Sequence, residues 1–330
     1  MNEPDYPHLI TTDDDHTEKN RFPIIMQLGI LSFILVGIFG ALLFQSNQNQ
    51  VAGELPPPPV QNNTQAELSI PEKIADVNLR AEAAYVWDVR AQRALYAQNE
   101  STALPLASIT KLMTALLSYE LIEQNEVASI SRSALLQEGS SGFQIGEQLR
   151  IEDLTQMALI SSSNDAAYEL AASVGTLLGD RDPVAQFVTG MNIRAAELGL
   201  ESLEFKNMTG LDVSLSEPGS VGSARDVSFL MEHIIDTYPD ILLPTREVIT
   251  QVYNTNGDYH TTENTNEIVS KIPNLIGSKT GYTDLAGGNL TIAFDLGHNR
   301  PIIVTVLGST RAERFTDVLT LVAAIQESIE

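Results

Sequence analysis

The sequence predicts an α+β fold, an antiparallel sheet covered by helices, preceded by one transmembrane helix. Three observations carry this expectation. Strand-like stretches with hairpin punctuation stand near both ends of the region beyond residue 72, helical periodicity fills its middle, and an uncharged apolar run precedes it.

The apolar run, residues 24–44, holds 21 residues rich in Ile, Leu, Phe and Gly without one charge. About 20 such residues cross the hydrocarbon core as a helix, and a stretch apolar on every face does not suit a buried core helix flanked by polar tails. A cleaved signal peptide has a short basic start and a small-residue cleavage site. Here 23 net-acidic residues precede the run and no such site follows Phe44, so an uncleaved anchor is expected. Lys19 and Arg21 lie just before the run, and no Lys or Arg follows until Lys73. That asymmetry keeps residues 1–23 in the cytoplasm and exports the bulk of the chain, a single-pass protein of the cell membrane. Residues 45–71, rich in Gln and Asn and carrying Pro56-Pro57-Pro58-Pro59, read as an extended linker. Residues 72–330 are the expected globular domain.

Within that domain, 83–89 and 94–97 are strand-like around Asp88-Val89-Arg90-Ala91, a first hairpin. Residues 108–121 have helical periodicity, with Leu112, Leu116 and Leu117 on one face. Residues 152–160, 164–174 and 183–198 also read as helices. Residues 290–296 and 301–307 alternate around Gly297-His298-Asn299-Arg300, a second hairpin, and 312–329 closes the chain as an amphipathic helix.

Composition removes several function classes. A formal net charge of -24 argues against nucleic acid and anionic membrane surfaces as partners. With no cysteine there is no disulfide framework, thiolate metal site or cysteine nucleophile. The five histidines (His8, His16, His233, His260, His298) are scattered, so neither a metal-binding pair nor a Ser-His-Asp triad has material, and no cofactor or metal is expected.

What remains is a set of three motifs in order: Ser108-Ile109-Thr110-Lys111, Ser162-Ser163-Asn164 and Lys279-Thr280-Gly281. Ser108 at a helix start places its backbone N–H among the unpaired donors of the first turn, where it can face an oxyanion. Lys111 falls on the same face. A serine hydroxyl needs an adjacent base, and a neutral lysine amine can serve if burial and a second cation, Lys279, lower its pKa. Ser162 can relay a proton between Lys111 and a leaving amine, and Asn164 can bond a substrate amide. Lys279-Thr280-Gly281 suits a strand edge: positive charge, a hydroxyl for a carboxylate, and a glycine that lets a substrate backbone approach closely. The backbone N–H of Tyr282 offers a second oxyanion donor. Each motif alone also has a plain account, a serine N-cap followed by a surface lysine or an ordinary helix N-terminus.

Taken together, S-x-x-K, the Ser-x-Asn step and K-T-G are the set shared by penicillin-binding proteins and class A β-lactamases. Residues 83–322 resemble the serine-type D-alanyl-D-alanine carboxypeptidases, the low-molecular-mass penicillin-binding proteins. Pro105-Leu106-Ala107-Ser108-Ile109-Thr110-Lys111-Leu112-Met113-Thr114-Ala115 is very close to that family's nucleophile segment. Ser162-Ser163-Asn164-Asp165-Ala166-Ala167 is similar to its S-G-N-D-A-A, with Ser163 for the usual glycine. Asn207-Met208-Thr209-Gly210-Leu211-Asp212, Ala224-Arg225-Asp226, and Gly277-Ser278-Lys279-Thr280-Gly281-Tyr282-Thr283 followed by Ala286-Gly287 resemble further landmarks.

The resemblance implies a sheet with a helical subdomain. It also implies removal of the terminal D-alanine from peptidoglycan stem peptides through an acyl-serine intermediate, and covalent inhibition by β-lactams. Arg314, in Arg311-Ala312-Glu313-Arg314-Phe315, matches a family arginine that holds the substrate carboxylate, with Arg311 as the fallback. The final helix ends at Ile329, so neither an extra β-rich domain nor a C-terminal amphipathic anchor is expected, and the N-terminal span stands in for the latter.

Three alternatives stay open. An endopeptidase cutting D-alanyl cross-links uses the same residues. A class A β-lactamase needs an E-x-x-L-N glutamate, absent between Ser162 and Lys279, where Glu197-Leu198-Gly199-Leu200-Glu201 does not match. A non-catalytic wall-binding or β-lactam-sensing domain would have lost one or more of the catalytic positions, and all are intact.

Overall fold

The computed structural model describes residues 73–74, 77–179 and 181–328. The expected tail, membrane span and linker (1–23, 24–44, 45–71) lie outside the described residues. Among the described residues, no helix is long and apolar enough to cross a membrane.

The chain opens with β1 (Ala83–Asp88) and β2 (Arg93–Gln98), the expected first hairpin, and then β3 (Leu104–Pro105). A 3-10 turn, Ala107–Thr110, leads into α1 (Lys111–Leu121), followed by β4 (Val127–Ser129) and β5 (Gln148–Arg150). Three helices come next: α2 (Ile151–Ile160), α3 (Asn164–Gly175) and α4 (Pro183–Glu197). After β6 (Glu204–Phe205) and β7 (Ser220–Gly222) come α5 (Ala224–Thr237) and the hairpin of β8 (Ile249–Tyr253) and β9 (Tyr259–Glu263). The last elements are β10 (Leu275–Thr283), β11 (Gly287–Asp295), β12 (Pro301–Ser309) and α6 (Glu313–Glu327).

Five strands pair antiparallel in the order β10-β11-β12-β1-β2, so the two ends of the domain meet where β1 lies against β12. The side-chain period of two sorts the sheet residues onto its faces. Ala84, Val86, Leu290, Ile292, Phe294, Ile302, Val304 and Val306 pack with Phe315, Val318, Leu321 and Ile325 of α6. Ala83, Tyr85, Trp87, Ala293, Ile303 and Leu307 join the core shared with the remaining helices. Both faces are covered, so β12 is apolar on both sides from Ile302 to Leu307 apart from Thr305, and Thr291, Thr305 and Ser228 bond in a buried chain at 2.8 Å per step. Asp295 closes the second hairpin by accepting from the N–H groups of Gly297 and Arg300.

Two expectations need correction, and two elements were unforeseen. Residues 108–121 are not one helix: Ser108 lies in the 3-10 turn and the α-helix begins at Lys111. Nor does α1 have a single apolar face. Every residue from Lys111 to Ser118 is buried, so α1 runs through the core as a central helix. The helix α5 was not expected, although Ser223 caps it by accepting from Asp226 N and Val227, Leu230, Met231 and Ile234 line one side. The β8–β9 hairpin was also unforeseen, because Thr, Gln, His and Tyr in its strands leave no apolar alternation to read.

Candidate active site

The turn that carries Ser108 is held in a costly shape. Ala107 sits at φ 49°, a left-handed conformation that costs a β-carbon residue ~1–3 kcal/mol and persists only when its surroundings impose it. Thr110 Oγ1 donates to the Ala107 carbonyl at 2.7 Å from within the turn. Gly210 presses from outside, where a β-carbon would stand 1.9 Å from that same oxygen. Side chains three apart eclipse in a 3-10 turn, and Lys111 Nζ lies 2.9 Å from Ser108 Oγ.

Lys111 is fully buried, and burial lowers its pKa from 10.5 to about 7. Its Nζ also donates to Asn164 Oδ1 at 2.7 Å and to the Thr209 carbonyl at 2.8 Å. Two carbonyl acceptors consume both N–H bonds of a neutral amine and leave its lone pair directed at the Ser108 hydroxyl. Ser108 itself is half-buried and reaches the surface.

Ser162 and Asn164 come from the junction between α2 and α3. Ser162 has φ 62°, and Ser163 caps α3 by accepting from Ala166 N at 3.0 Å. Asn164, the first residue of α3, spends its amide on the protein: Nδ2 donates to the Glu138 carbonyl at 2.7 Å while Oδ1 holds Lys111. Ser162 Oγ accepts from Lys279 Nζ at 2.9 Å. The structure therefore joins Ser162 to Lys279 and Ser108 to Lys111. Lys279 is 1% exposed, and burial first, then the like charges of Lys111 and Arg314, hold its pKa well below the ordinary value. The sequence argument expected Lys279 to depress Lys111. Burial is the cause for Lys111, and at Lys279 the like charges of Lys111 and Arg314 add to burial.

Lys279, Thr280 and Gly281 lie in β10, at the edge of the five-stranded sheet as expected. Gly281 is needed for a reason the sequence did not show. A β-carbon there would stand 2.6 Å from the Leu106 carbonyl and 3.2 Å from Ile109 N, so the close neighbour is the protein's own Ser108 turn. Thr280 Oγ1 shares a 2.6 Å hydrogen bond with Thr265 Oγ1. Tyr282 is exposed. Arg314 is buried, donates from Nη1 to the Gly281 carbonyl at 2.8 Å, and its buried Nε has no partner. Burial, then Arg311, lowers its pKa to about 10. Arg311 is exposed, with its guanidinium 5.2 Å above the Tyr282 ring. All the residues singled out from the three motifs thus meet along the seam between β10, the Ser108 turn and the α2–α3 junction.

The sequence of residues 69–311 matches the D-alanyl-D-alanine carboxypeptidase family, peptidase S11. The chain belongs to this family. It is 31% identical over 240 residues to the D-alanyl-D-alanine carboxypeptidase DacF of Bacillus subtilis, covering 68% of this chain and 57% of that protein's length. It is 28% identical over 287 residues to a D-alanyl-D-alanine endopeptidase of Pseudomonas aeruginosa, covering 84% of each. The fold matches the ampicillin-bound crystal structure of Penicillin-Binding Protein D2 from Listeria monocytogenes with a TM-score of 0.65 and 29% identity, over 76% of this chain and 99% of that one.

Within this peptidase fold, residues 207–212, noted from sequence as a landmark without a role, turn out to serve the site, and two further contributors carried no expectation. The Thr209 carbonyl holds Lys111, and Asn207 shapes the turn that presents it: its Oδ1 accepts from Thr209 N, Thr209 Oγ1 and Gly210 N at 2.7 to 3.1 Å. An Asn followed by Thr and Gly is a readable turn signal, but nothing in the sequence aims it at Lys111. Thr265 and the Glu138 carbonyl carried no signal at all.

Proposed function

We propose that this chain is a serine-type D-Ala-D-Ala carboxypeptidase that removes the terminal D-alanine of peptidoglycan stem peptides. The observation that carries the reading is the fully buried Lys111 amine, pKa about 7, at 2.9 Å from Ser108 Oγ. Ser108 Oγ attacks the carbonyl of the penultimate D-alanine while Lys111 Nζ takes its proton. The oxyanion is met by the backbone N–H groups of Ser108 and Tyr282. As the C–N bond breaks, the proton taken up by Lys111 Nζ passes through Ser162 Oγ to the leaving amine, which frees Lys111 to act as base again. Water then hydrolyses the acyl-serine ester. Asn164 orients Lys111 and borders the substrate amide, and Thr280, Gly281 and Arg314 form the wall that receives the terminal carboxylate. β-Lactams acylate Ser108 by the same attack. The activity needs no cofactor. Residues 24–44 anchor the chain, with residues 1–23 in the cytoplasm and the catalytic domain on the extracytoplasmic face, as the Lys19/Arg21 asymmetry indicates.

The match along 84% of the Pseudomonas aeruginosa endopeptidase supports a second reading, cleavage of D-alanyl cross-links by the same residues. One experiment separates them. The protein is labelled with a fluorescent penicillin and the adduct mapped, then D-alanine release from a monomeric pentapeptide is compared with cleavage of a cross-linked muropeptide dimer. The adduct belongs on Ser108 and the monomer is cleaved faster. An adduct on Ser161, Ser162 or Ser163 would overturn the assignment of the nucleophile, and faster cleavage of the dimer would make the chain an endopeptidase.

A further inference from the structure

The β8–β9 ribbon stands beside the catalytic seam with one face uncovered. Its register pairs Ile249 with Glu263, Gln251 with Thr261 and Tyr253 with Tyr259, and all six are exposed. Tyr253 and Tyr259 are 50% and 55% exposed, with ring centroids 5.7 Å apart and planes tilted by 54°. Two tyrosines half in water on one rung are a large apolar area to leave open; the Tyr253 hydroxyl donates to Gln251 Oε1 at 2.9 Å, and that of Tyr259 adds a polar handle.

At the tip of the ribbon, beside Tyr259, is a recess. Its floor is fixed: Glu147 Oε1 accepts from Asn254 Nδ2 at 2.9 Å and pairs with His260 Nε2 at 2.7 Å, while Glu147 Oε2 accepts from Gln144 N at 2.9 Å. Its wall holds the side chains of Gln144, Asn256 and Asp258, all exposed, and none of them bonds to the protein. A rigid floor, unspent planar amide and carboxylate groups and an adjoining aromatic pair meet the needs of a pyranose. Its C–H face packs on a ring, and its hydroxyl and acetamido groups require directional donors and acceptors.

We propose that this face and recess bind a neutral polymer of N-acetylated hexosamines, the glycan strand that carries the stem peptides; the choice of that polymer rests on the proposed peptidase function. Charge favours it over other polymers. The chain carries a net charge of -24, and the face and recess present Glu263, Glu147 and Asp258 with no Lys or Arg, which opposes a polyanion or an acidic lipid surface. The mixed polar character of the face, with Gln251, Thr261 and Glu263 beside the tyrosines, is unlike the apolar centre of a homodimer.

Two connections tie the surface to the seam. The loop that lines the recess also supplies the Glu138 carbonyl bound by Asn164, 2.7 Å away. The exit of β9 leads to Thr265, whose hydroxyl bonds Thr280. A glycan seated here holds its pendant peptide next to the catalytic groups and raises the local substrate concentration.

The test titrates the full-length protein calorimetrically with a peptide-free β-1,4-linked N-acetylglucosamine tetramer and with its de-N-acetylated, cationic counterpart. The acetylated tetramer should bind, and a Tyr253→Ala/Tyr259→Ala double variant should lose about tenfold in affinity. Its D-alanine release from soluble pentapeptide should be unchanged. Equal affinity in the double variant, tighter binding of the cationic oligomer, or a concentration-dependent dimer abolished by the tyrosine changes would overturn the proposal. So would a wild type that cleaves pentapeptide and binds no sugar. Sugar binding without any pentapeptide cleavage would leave this surface standing and refute the peptidase reading instead.

Discussion

Burial makes the Lys111 ammonium expensive, because no carboxylate bonds it and its three contacts are a hydroxyl and two carbonyl oxygens. With a pKa of about 7, the amine is protonated in most molecules at pH 6, and Ser108 then lacks its base. The second-order rate of acylation by a fluorescent penicillin should therefore rise with pH through about 7 and level off above it. A rate flat from pH 5.5 to pH 8.5 would remove Lys111 as the base. The same shift enters stability. The folded pKa lies below the ordinary 10.5, so between about 7 and 10.5 the unfolded chain holds more protons at this position, and the group's contribution to stability rises with pH across that window. In a Lys111→Met variant this dependence is gone. Thermal unfolding should show the variant gaining on the wild type as pH falls from 10 to 7, with acylation lost throughout; a gap independent of pH would mean that Lys111 titrates at its ordinary pKa in the folded protein.

Between elements, the site depends on how closely β10 lies against the Ser108 turn, and Gly281 sets that spacing. Gly281→Ala places a β-carbon 2.6 Å from the Leu106 carbonyl, which is backbone and cannot swing aside. The strand and turn must separate, at ~1–3 kcal/mol in stability for the overpacking. A displacement of up to 1 Å between nucleophile and oxyanion donor should slow acylation by about 100-fold. Stopped-flow acylation and thermal unfolding measure the two losses, and a variant acylated at the wild-type rate would show that the spacing is not set there. The motifs announced Ser108, Lys111, Ser162, Lys279 and Gly281 from sequence because the chemistry fixes residue type and local spacing together. Their pairing was not legible: which lysine faces which serine depends on how the α2–α3 junction docks against β10, over a hundred residues away in sequence. Both terminal hairpins and α6 could be read from their apolar periodicity. By contrast α5 was passed over despite a serine cap, and β8–β9 carries too few apolar residues to show a period. Thr209, Thr265 and Glu138 contribute backbone or hydroxyl groups that no residue type advertises.

Across the whole molecule, 43 acidic residues face 19 Lys and Arg, yet Lys111, Lys279 and Arg314 are buried in one small region. Of the three, Arg314, with a pKa of about 10, keeps its charge at neutral pH, and a buried cation in an acidic protein suits an anionic substrate end that must be oriented. The proposed substrate, the peptide of the assembled wall, lies outside the cytoplasm, and the proposed export of the domain fits it. Both basic residues before the proposed span at 24–44, Lys19 and Arg21, lie close to its start, and the next is Lys73. The acidic cluster Asp13-Asp14-Asp15 carries little topological weight against them. Protease added to intact protoplasts should therefore digest the chain in the proline linker near Pro56 and release a fragment that still binds fluorescent penicillin. The residual membrane-bound piece should retain Met1. A catalytic domain fully protected until the cells are lysed would reverse the orientation. A mature N-terminus near Gln45 would mean that residues 24–44 are a cleaved signal, leaving the domain to be held at the wall by its surface alone.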